Sequence, residues 1–149
     1  IEAASILEKD FKIATNVLSA TSFNELRKNA LEIERWNRLN PGKKKKSSHI
    51  ENTITDKKSP VIASTDYMKS FPEQISRFLP NKFIALGTDG YGRSDSREAL
   101  RDFFEVNRYH VVLAAITALV DINKIDISIL LKAAKNFKLD GNKLNPINN

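Results

Sequence analysis

Three glycines and an arginine stand within seven residues of this chain, and their spacing could form a loop that binds an anion. Gly87, Gly90, Gly92 and Arg93 follow the apolar run Phe83 to Leu86, and helix-forming residues come after them. A strand, a flexible turn and a helix start can together point backbone N–H groups at a phosphate. The chain has only five glycines, so this concentration makes the segment the first candidate for a functional site.

We call this segment the glycine loop; its residues are Gly87, Thr88, Asp89, Gly90, Tyr91, Gly92, Arg93, Ser94 and Asp95. The string GTDGYGRS differs from the P-loop pattern G-x-x-x-x-G-K-[ST] by having Arg93 in the lysine position. Arginine is a planar fork and does not replace the compact ammonium that reaches a terminal phosphate. Asp95 stands where a G-x-G-x-x-G dinucleotide motif needs its third glycine, and its charge would repel a pyrophosphate.

The alternative interpretation of the glycine loop is a tight connection between a strand and a helix. Glycines permit backbone angles that other residues avoid, Asp89 and Asp95 can accept bonds from nearby backbone amides, and Arg93 can pair with a carboxylate. A rigid turn of this kind, lying at a domain or subunit surface, explains every residue type in the loop.

Other catalytic and metal-binding patterns are missing from the sequence. Its two histidines, His49 and His110, lie far apart without paired-ligand spacing, and the chain has no cysteine. Ser94 and Ser96 have no partner base, and no G-x-S-x-G elbow occurs. We therefore predict no catalytic, cofactor-binding or metal-ligating residue in this chain.

The composition is typical of a globular domain, with 149 residues, 41% of them hydrophobic and 28% charged. We expect no segment that matches the roughly 20 apolar residues of a membrane helix, and the lack of cysteine favours the cytoplasm. Of the net charge of +6, Lys43 to Lys46 supply four charges, and Lys57 and Lys58 supply two. Residues 42–59 are predicted to be a mobile, lysine-rich loop, whose charges favour solubility over nucleic-acid binding.

Hydrophobic periodicity divides the chain into alternating helices and strands. We predict strands at Ala14–Ala20, Pro60–Ser64 and Phe83–Leu86. We predict helices at Ile1–Phe11, Ser22–Trp36, Tyr67–Phe78 with a kink or new start near Ser70 because of Pro72, Asp95–Phe104, Asn107–Val120 and Ile127–Phe137, followed by an extended polar tail. Residues 1–149 thus form one α/β domain, with a small, mostly parallel or mixed sheet flanked by helices.

Four strings, taken in order, resemble one family. They are ATSFNELRKNALEIERWNRLNP (20–41), VIASTDYMKSFPEQISRFLP (61–80), LGTDGYGRSDSREALRDFFEV (86–106) and NKLNP (142–146). Together they resemble the C-terminal domain of the homodimeric pyruvate dehydrogenase decarboxylase component, a thiamine diphosphate-dependent, transketolase-like enzyme. The resemblance spans nearly the whole chain.

This resemblance implies a transketolase C-terminal-domain fold with about five strands, of which the chain lacks the first, and a chain that is a C-terminal fragment of a larger subunit. It implies that thiamine diphosphate and magnesium bind in other domains of the parent enzyme, with no cofactor in this fragment. The parent would decarboxylate pyruvate oxidatively in the bacterial cytoplasm and acetylate the lipoyl group of the acetyltransferase.

The same resemblance implies that the isolated chain is not catalytic and supports the dimer. Its expected partners are the remaining domains of its own subunit and the homodimer mate, with dihydrolipoyl acetyltransferase as a partner of the parent enzyme; nucleic acid and membrane are not expected. Two alternatives stay open. The glycine loop, Gly87–Asp95, could bind an anion or nucleotide, or the lysine-rich loop could bind acidic partners.

Overall fold

Two short parallel strands lie in the middle of the chain, and helices pack against them. The structure is a computed structural model, and it describes residues 1–148. The strands are Val61–Ser64 (β1) and Phe83–Leu86 (β2). The helices are Glu2–Phe11 (α1), Phe23–Leu39 (α2), His49–Thr53 (α3), Ser70–Glu73 (α4), Arg97–Phe103 (α5), Arg108–Asp121 (α6) and Ile127–Phe137 (α7), with 3-10 turns at Ser76–Phe78 and Pro146–Asn148.

The sheet pairs β1 with β2 in parallel, from Val61 opposite Phe83 to Ser64 opposite Leu86. Both strands are apolar, and only Ser64 among their residues is exposed, as expected for parallel strands covered by helices. The predicted α/β class and both of these strands are therefore confirmed.

The strand predicted at Ala14–Ala20 is wrong. In the described residues 1–148 the sheet has two strands, and this segment is irregular, with Val17 and Leu18 more than half exposed. Its composition favours a strand, but a strand also needs a neighbour for its backbone hydrogen bonds, and none lies beside it here.

Helix α6 forms the centre of the main core. Its Val112 and Ile116 are fully buried and pack with Leu7 of α1 and Ala133 of α7. Asn107 caps α6, because its side-chain oxygen accepts the N–H groups of Tyr109 and His110. Burying a side chain such as Ile116 contributes about 2–3 kcal/mol, so this contact holds α1 and α7 in place.

A second core cluster lies beneath the segment that was predicted to be a loop. Ile50, Ile75 and Leu79 are buried together there, and Ile50 belongs to α3, so residues 49–53 are helical rather than irregular. The helix begins because Ser48 and Glu51 form a capping box, with both reciprocal bonds present. The mobility of residues 42–59 is a separate property and stays a prediction.

Two further sequence predictions need correction. The helix predicted over Tyr67–Phe78 is reduced to α4 and a 3-10 turn, because Pro72 has no N–H to continue a longer helix. The new start near Ser70 is confirmed, since α4 begins at that residue. The tail is not wholly extended, because residues 146–148 form a 3-10 turn.

One helical stretch, Arg97–Asp121, has the length and composition to cross a membrane, so the expectation that no segment reaches this measure does not hold. The stretch consists of two helices, α5 and α6, which are separated at residues 104–107, where Glu105 has a φ of 60°. Val112 and Ile116 are buried inside the domain. Part of the apolar surface of α6 is therefore buried in the core of the domain.

Candidate functional site

The glycine loop begins directly after β2 and packs against residues 65–69, which follow β1. The N–H of Thr88 donates to the carbonyl of Tyr67 at 2.9 Å, and the Thr88 hydroxyl donates to the carbonyl of Asp66 at 2.8 Å. The Asp89 carboxylate accepts the backbone N–H of Lys69 at 2.9 Å. These bonds hold the loop at the carboxyl edge of the sheet, where α/β proteins place their binding sites.

Gly87 is needed for this close contact between the two segments. A Cβ atom at this position would lie 2.5 Å from the carbonyl oxygen of Tyr67 and 2.8 Å from the nitrogen of Lys69. Both neighbours are backbone atoms, which cannot swing away as a side chain could. Close packing of backbone on backbone therefore accounts for the first glycine of the loop.

Gly90 makes the equivalent contact with the C-terminal tail. Its φ is +103°, and a Cβ atom there would lie 2.7 Å from the carbonyl oxygen of Pro146. The tail is also tied to α5, because the ammonium of Lys143 donates to the carbonyls of Asp102 and Phe103 at 2.8 and 2.9 Å. The first half of the glycine loop, residues 87–90, thus lies between residues 65–69 and the tail.

The second half of the loop is more open. Gly92 has no atom within 4 Å of a Cβ position, and Tyr91 and Ser94 are exposed. The Arg93 guanidinium lies over the ring of Phe103 at 4.2 Å, so the predicted pairing with a carboxylate is replaced by a cation–π contact. The Asp95 carboxylate accepts the N–H of Ser96 at 2.7 Å, which is the kind of local bond that the sequence predicts.

The backbone N–H donors in and beside the loop argue against the anion-binding alternative. The amides of Thr88 and Lys69 already bond oxygen atoms of the protein. Helix α5 begins at Arg97, after Ser96 as its cap, and has seven residues. It starts five residues beyond Gly92, so its first amides do not adjoin the glycines as they do in a phosphate-binding loop.

An ion pair connects the end of β1 with α5. The guanidinium of Arg101 donates to both carboxylate oxygens of Asp66, at 2.9 and 3.3 Å, and this carboxylate raises the pKa of Arg101. The neighbouring Thr65 makes a local bond, because its hydroxyl accepts the N–H of Tyr67. The ion pair lies at the surface and links α5 to the carboxyl edge of the sheet with a contribution of about 0–1 kcal/mol.

The histidines stay apart in the structure. His110 is half-buried on α6, where burial lowers its pKa, and its Nδ1 lies 2.9 Å from the Asn107 side-chain oxygen. His49 is exposed at the start of α3. Across residues 1–148, no three histidine or carboxylate side chains come together as a metal site would require.

Three large exposed side chains belong to the glycine loop or to the segment that packs against it: Tyr91 lies in the loop, and Tyr67 and Met68 lie in residues 65–69. Tyr91 is 84% exposed, Tyr67 is 71% exposed and Met68 is 54% exposed. We call these three residues the apolar patch. Large apolar groups that are exposed on adjoining segments are typical of contacts with other protein surfaces. Sequence reasoning missed Tyr67 and Met68 as neighbours of the loop, although both lie in the STDYMK string that carries part of the resemblance.

The comparison with protein families agrees with the fold. The model of the transketolase-like TK C-terminal domain matches residues 1–107, which include the whole glycine loop. The chain belongs to this family.

More specifically, the chain is similar to bacterial proteins named pyruvate dehydrogenase E1 component. It is 51% identical to that of Pseudomonas aeruginosa, over 98% of this chain and 17% of that protein. It is 48% identical to that of Buchnera aphidicola from Acyrthosiphon pisum and 44% identical to that of Escherichia coli K12, in both over 97% of this chain and 16% of the relative. The resemblance read from the sequence motifs is therefore confirmed, and the chain spans about a sixth of these relatives' length.

Proposed function

We propose that this chain serves as the C-terminal structural domain of a homodimeric pyruvate dehydrogenase, and that the glycine loop with the apolar patch forms its contact with the rest of the enzyme. The parent would decarboxylate pyruvate oxidatively with thiamine diphosphate and magnesium, acetylate the lipoyl group of dihydrolipoyl acetyltransferase, and work in the bacterial cytoplasm. Similarity to relatives of that name at 44–51% identity supports the assignment.

The interface role is supported by one observation: the backbone of the glycine loop is held by contacts, while a large side chain beside those contacts is exposed. Thr88 and Asp89 are bonded to residues 66–69, and Gly90 packs on the tail. The neighbouring Tyr91 remains 84% exposed. A rigid backbone that presents a large aromatic group loses little entropy when it binds, and this is a property of good interfaces.

The described residues do not fit a site for the diphosphate and its magnesium ion. Residues 1–148 bring no carboxylate cluster together, and Arg101 and Arg108 are already paired with Asp66 and Glu2. We therefore derive no catalytic step in this chain and propose that the cofactor binds in other domains of the parent.

Complementation tests the interface role. A parent subunit that ends before this domain is mixed with the chain in trans, and recovery of dimer mass and pyruvate decarboxylation is followed by ultracentrifugation and activity. Tyr91→Ser should weaken recovery. Leu131→Ser is the control, because Leu131 is also a large apolar residue, 64% exposed, and it belongs to α7 rather than to the loop. Equal recovery with both variants contradicts the interface role.

Two further measurements separate the alternatives. Turnover of pyruvate by the chain alone, with thiamine diphosphate and magnesium, contradicts the structural role. Calorimetric titration with ATP and with inorganic phosphate tests the anion-binding alternative. Binding heat that is present in the unaltered chain and absent from Arg93→Ala supports that alternative. If the unaltered chain shows no binding heat, the alternative is removed.

A further inference from the structure

The lysine run Lys43–Lys46 is displayed on a turn with defined contacts. The side chain of Asn37 bonds both backbone groups of Lys46, donating to its carbonyl at 2.9 Å and accepting its N–H at 2.8 Å. The Asn40 side chain donates to the carbonyl of Trp36, and the N–H of Lys43 donates to the carbonyl of Asn40. We call residues 35–46 the basic turn.

The positive charge of the basic turn is concentrated and unneutralised. Residues 35–46 contain Arg35, Arg38 and the four lysines, without a carboxylate. Within the part of the chain that the structure describes, these six cations have no carboxylate oxygen within 4.0 Å. The ammonium groups of Lys43 and Lys46 lie over the Trp36 ring, at 5.8 and 4.0 Å from its centre. Like charges held this close together favour an anionic partner.

We propose that the basic turn is a docking surface for an acidic, extended peptide segment of a partner protein. Carboxylates complement lysine ammoniums as point charges and need no fixed fork. The Lys43 and Lys46 ammoniums lie over one ring, and an extended chain advances about 3.3 Å per residue, so a segment with a few successive Asp or Glu residues matches the charged surface. Leu39 is 58% exposed at the end of α2, and it offers one apolar contact next to the charges.

The surroundings of the turn favour a short peptide over a larger polyanion. Glu32 is exposed on the preceding turn of α2 and adds a negative charge next to the basic turn, which disfavours a broad anionic surface such as a duplex or a membrane. The Glu34 carboxylate, in contrast, pairs with Arg77. Binding of single-stranded nucleic acid uses exposed aromatic faces for stacking. Trp36, in contrast, is partly buried and carries two ammonium groups over its ring.

The test uses the whole chain and a synthetic glutamate-rich peptide that contains one leucine. Trp36 is the single tryptophan of the sequence, so its fluorescence reports on this surface directly, and binding should shift its emission as the ammoniums move towards carboxylates. Labelled peptide provides affinity by anisotropy at about 50 mM salt, and the affinity should fall at about 300 mM, where the Debye length is shorter.

The matched variants separate the turn from overall charge. Replacing Lys43, Lys44, Lys45 and Lys46 with glutamine should weaken binding at least about tenfold, because four charge pairs are lost. The control replaces four exposed lysines elsewhere, namely Lys9, Lys124, Lys132 and Lys135, and should change affinity less than about twofold since their long-range effect is screened. Asn37→Ala keeps every charge but removes both hydrogen bonds to the backbone of Lys46, and it should weaken binding as well.

Several results would overturn the proposal. Equal losses in the two fourfold variants would mean that only net charge matters. Unchanged affinity in Asn37→Ala would mean that the fixed turn plays no part. Duplex DNA or phosphatidylserine vesicles that bind more tightly than the peptide would assign the surface to a different class of partner. Lack of peptide binding at low salt would remove the docking role altogether.

Discussion

The Asp89 carboxylate accepts the backbone N–H of Lys69 at 2.9 Å, although 20 positions separate the two residues. The bond joins the segment that follows β1 to the segment that follows β2. The same carboxylate lies 3.9 Å from the Lys69 ammonium. The Asp89 side chain therefore links the glycine loop to residues 65–69 in two ways, by a hydrogen bond to a backbone amide and by an ion pair.

Replacing Asp89 separates these two contributions. Asp89→Ala leaves the partly buried Lys69 amide without its acceptor and should lower the free energy of unfolding by about 1–2 kcal/mol. Asp89→Asn keeps an oxygen acceptor and removes only the charge, so it should cost clearly less. Urea unfolding of both variants measures the difference. Equal losses of unfolding free energy in the two variants would show that the charge, rather than the hydrogen bond to the Lys69 amide, holds the two segments together.

Gly87 and Gly92 form a matched pair within the same loop. Gly87→Ala places a methyl group 2.5 Å from the Tyr67 carbonyl oxygen, and the overpacking should cost about 1–3 kcal/mol. Gly92→Ala meets no atom within 4 Å, and by restricting the unfolded chain it should be neutral or stabilise by up to about 1 kcal/mol. Thermal unfolding distinguishes the two; a stable Gly87→Ala protein would contradict the backbone contact.

Local features of the fold could be predicted from the sequence, because they depend on neighbouring residues. Ser22, Ser96, Asn107 and Asp126 each cap a helix, and Ser, Asn and Asp are residue types that favour this position. Ser48 and Glu51 have the S-x-x-E spacing of a capping box, and this spacing could have identified α3 within the lysine-rich segment. Ser22 and Glu25 have the same spacing, but only half of a box forms: the Ser22 hydroxyl accepts the N–H of Glu25, while the Glu25 carboxylate pairs with Lys28.

Contacts between distant segments could not be predicted in this way. Gly90 packs on Pro146, and nothing in the composition of the loop indicates that partner. The same limit explains the error at Ala14–Ala20, because strand formation depends on a neighbour that local propensity does not reveal. The exposed Tyr67 and Met68 become part of the candidate site only through the fold.

The capping box predicts a dependence of stability on acid. Hydrogen bonds from the Ser48 side chain and backbone lower the pKa of Glu51 below its ordinary value of 4.5. Its contribution is therefore complete above that value and is lost as the pH falls through the lower, folded-state pKa. Ser48→Ala should cost about 1 kcal/mol at neutral pH and flatten this acid dependence. Glu32→Gln, at an exposed site on α2, is the control and should leave the dependence unchanged.

His110 predicts a second pH effect, in a different range. Burial lowers its pKa in the folded state below 6.5, with Glu105 opposing the shift. Above pH 6.5 the histidine is neutral in both states; below it the unfolded chain takes up a proton that the folded chain resists, so stability falls until the folded-state pKa is passed. Melting temperatures between pH 7 and pH 5 should show a smaller decline in His110→Gln. His49→Gln, at the exposed histidine, should behave like the unaltered chain.

The contact between Gly90 and Pro146 predicts that a side chain at position 90 releases the C-terminal tail from the glycine loop. Gly90→Ala introduces a side chain at a φ of +103° and 2.7 Å from the Pro146 carbonyl oxygen, so both backbone strain and collision push the tail away. Amide exchange at residues 143–148 should speed up, and proteases should cut the tail sooner, while the core around Val112 and Ile116 keeps its protection. Gly141→Ala is the control, because no atom lies within 4 Å of its Cβ position. If exchange increases in the core as much as in the tail, the contact supports the whole domain rather than closing the loop alone.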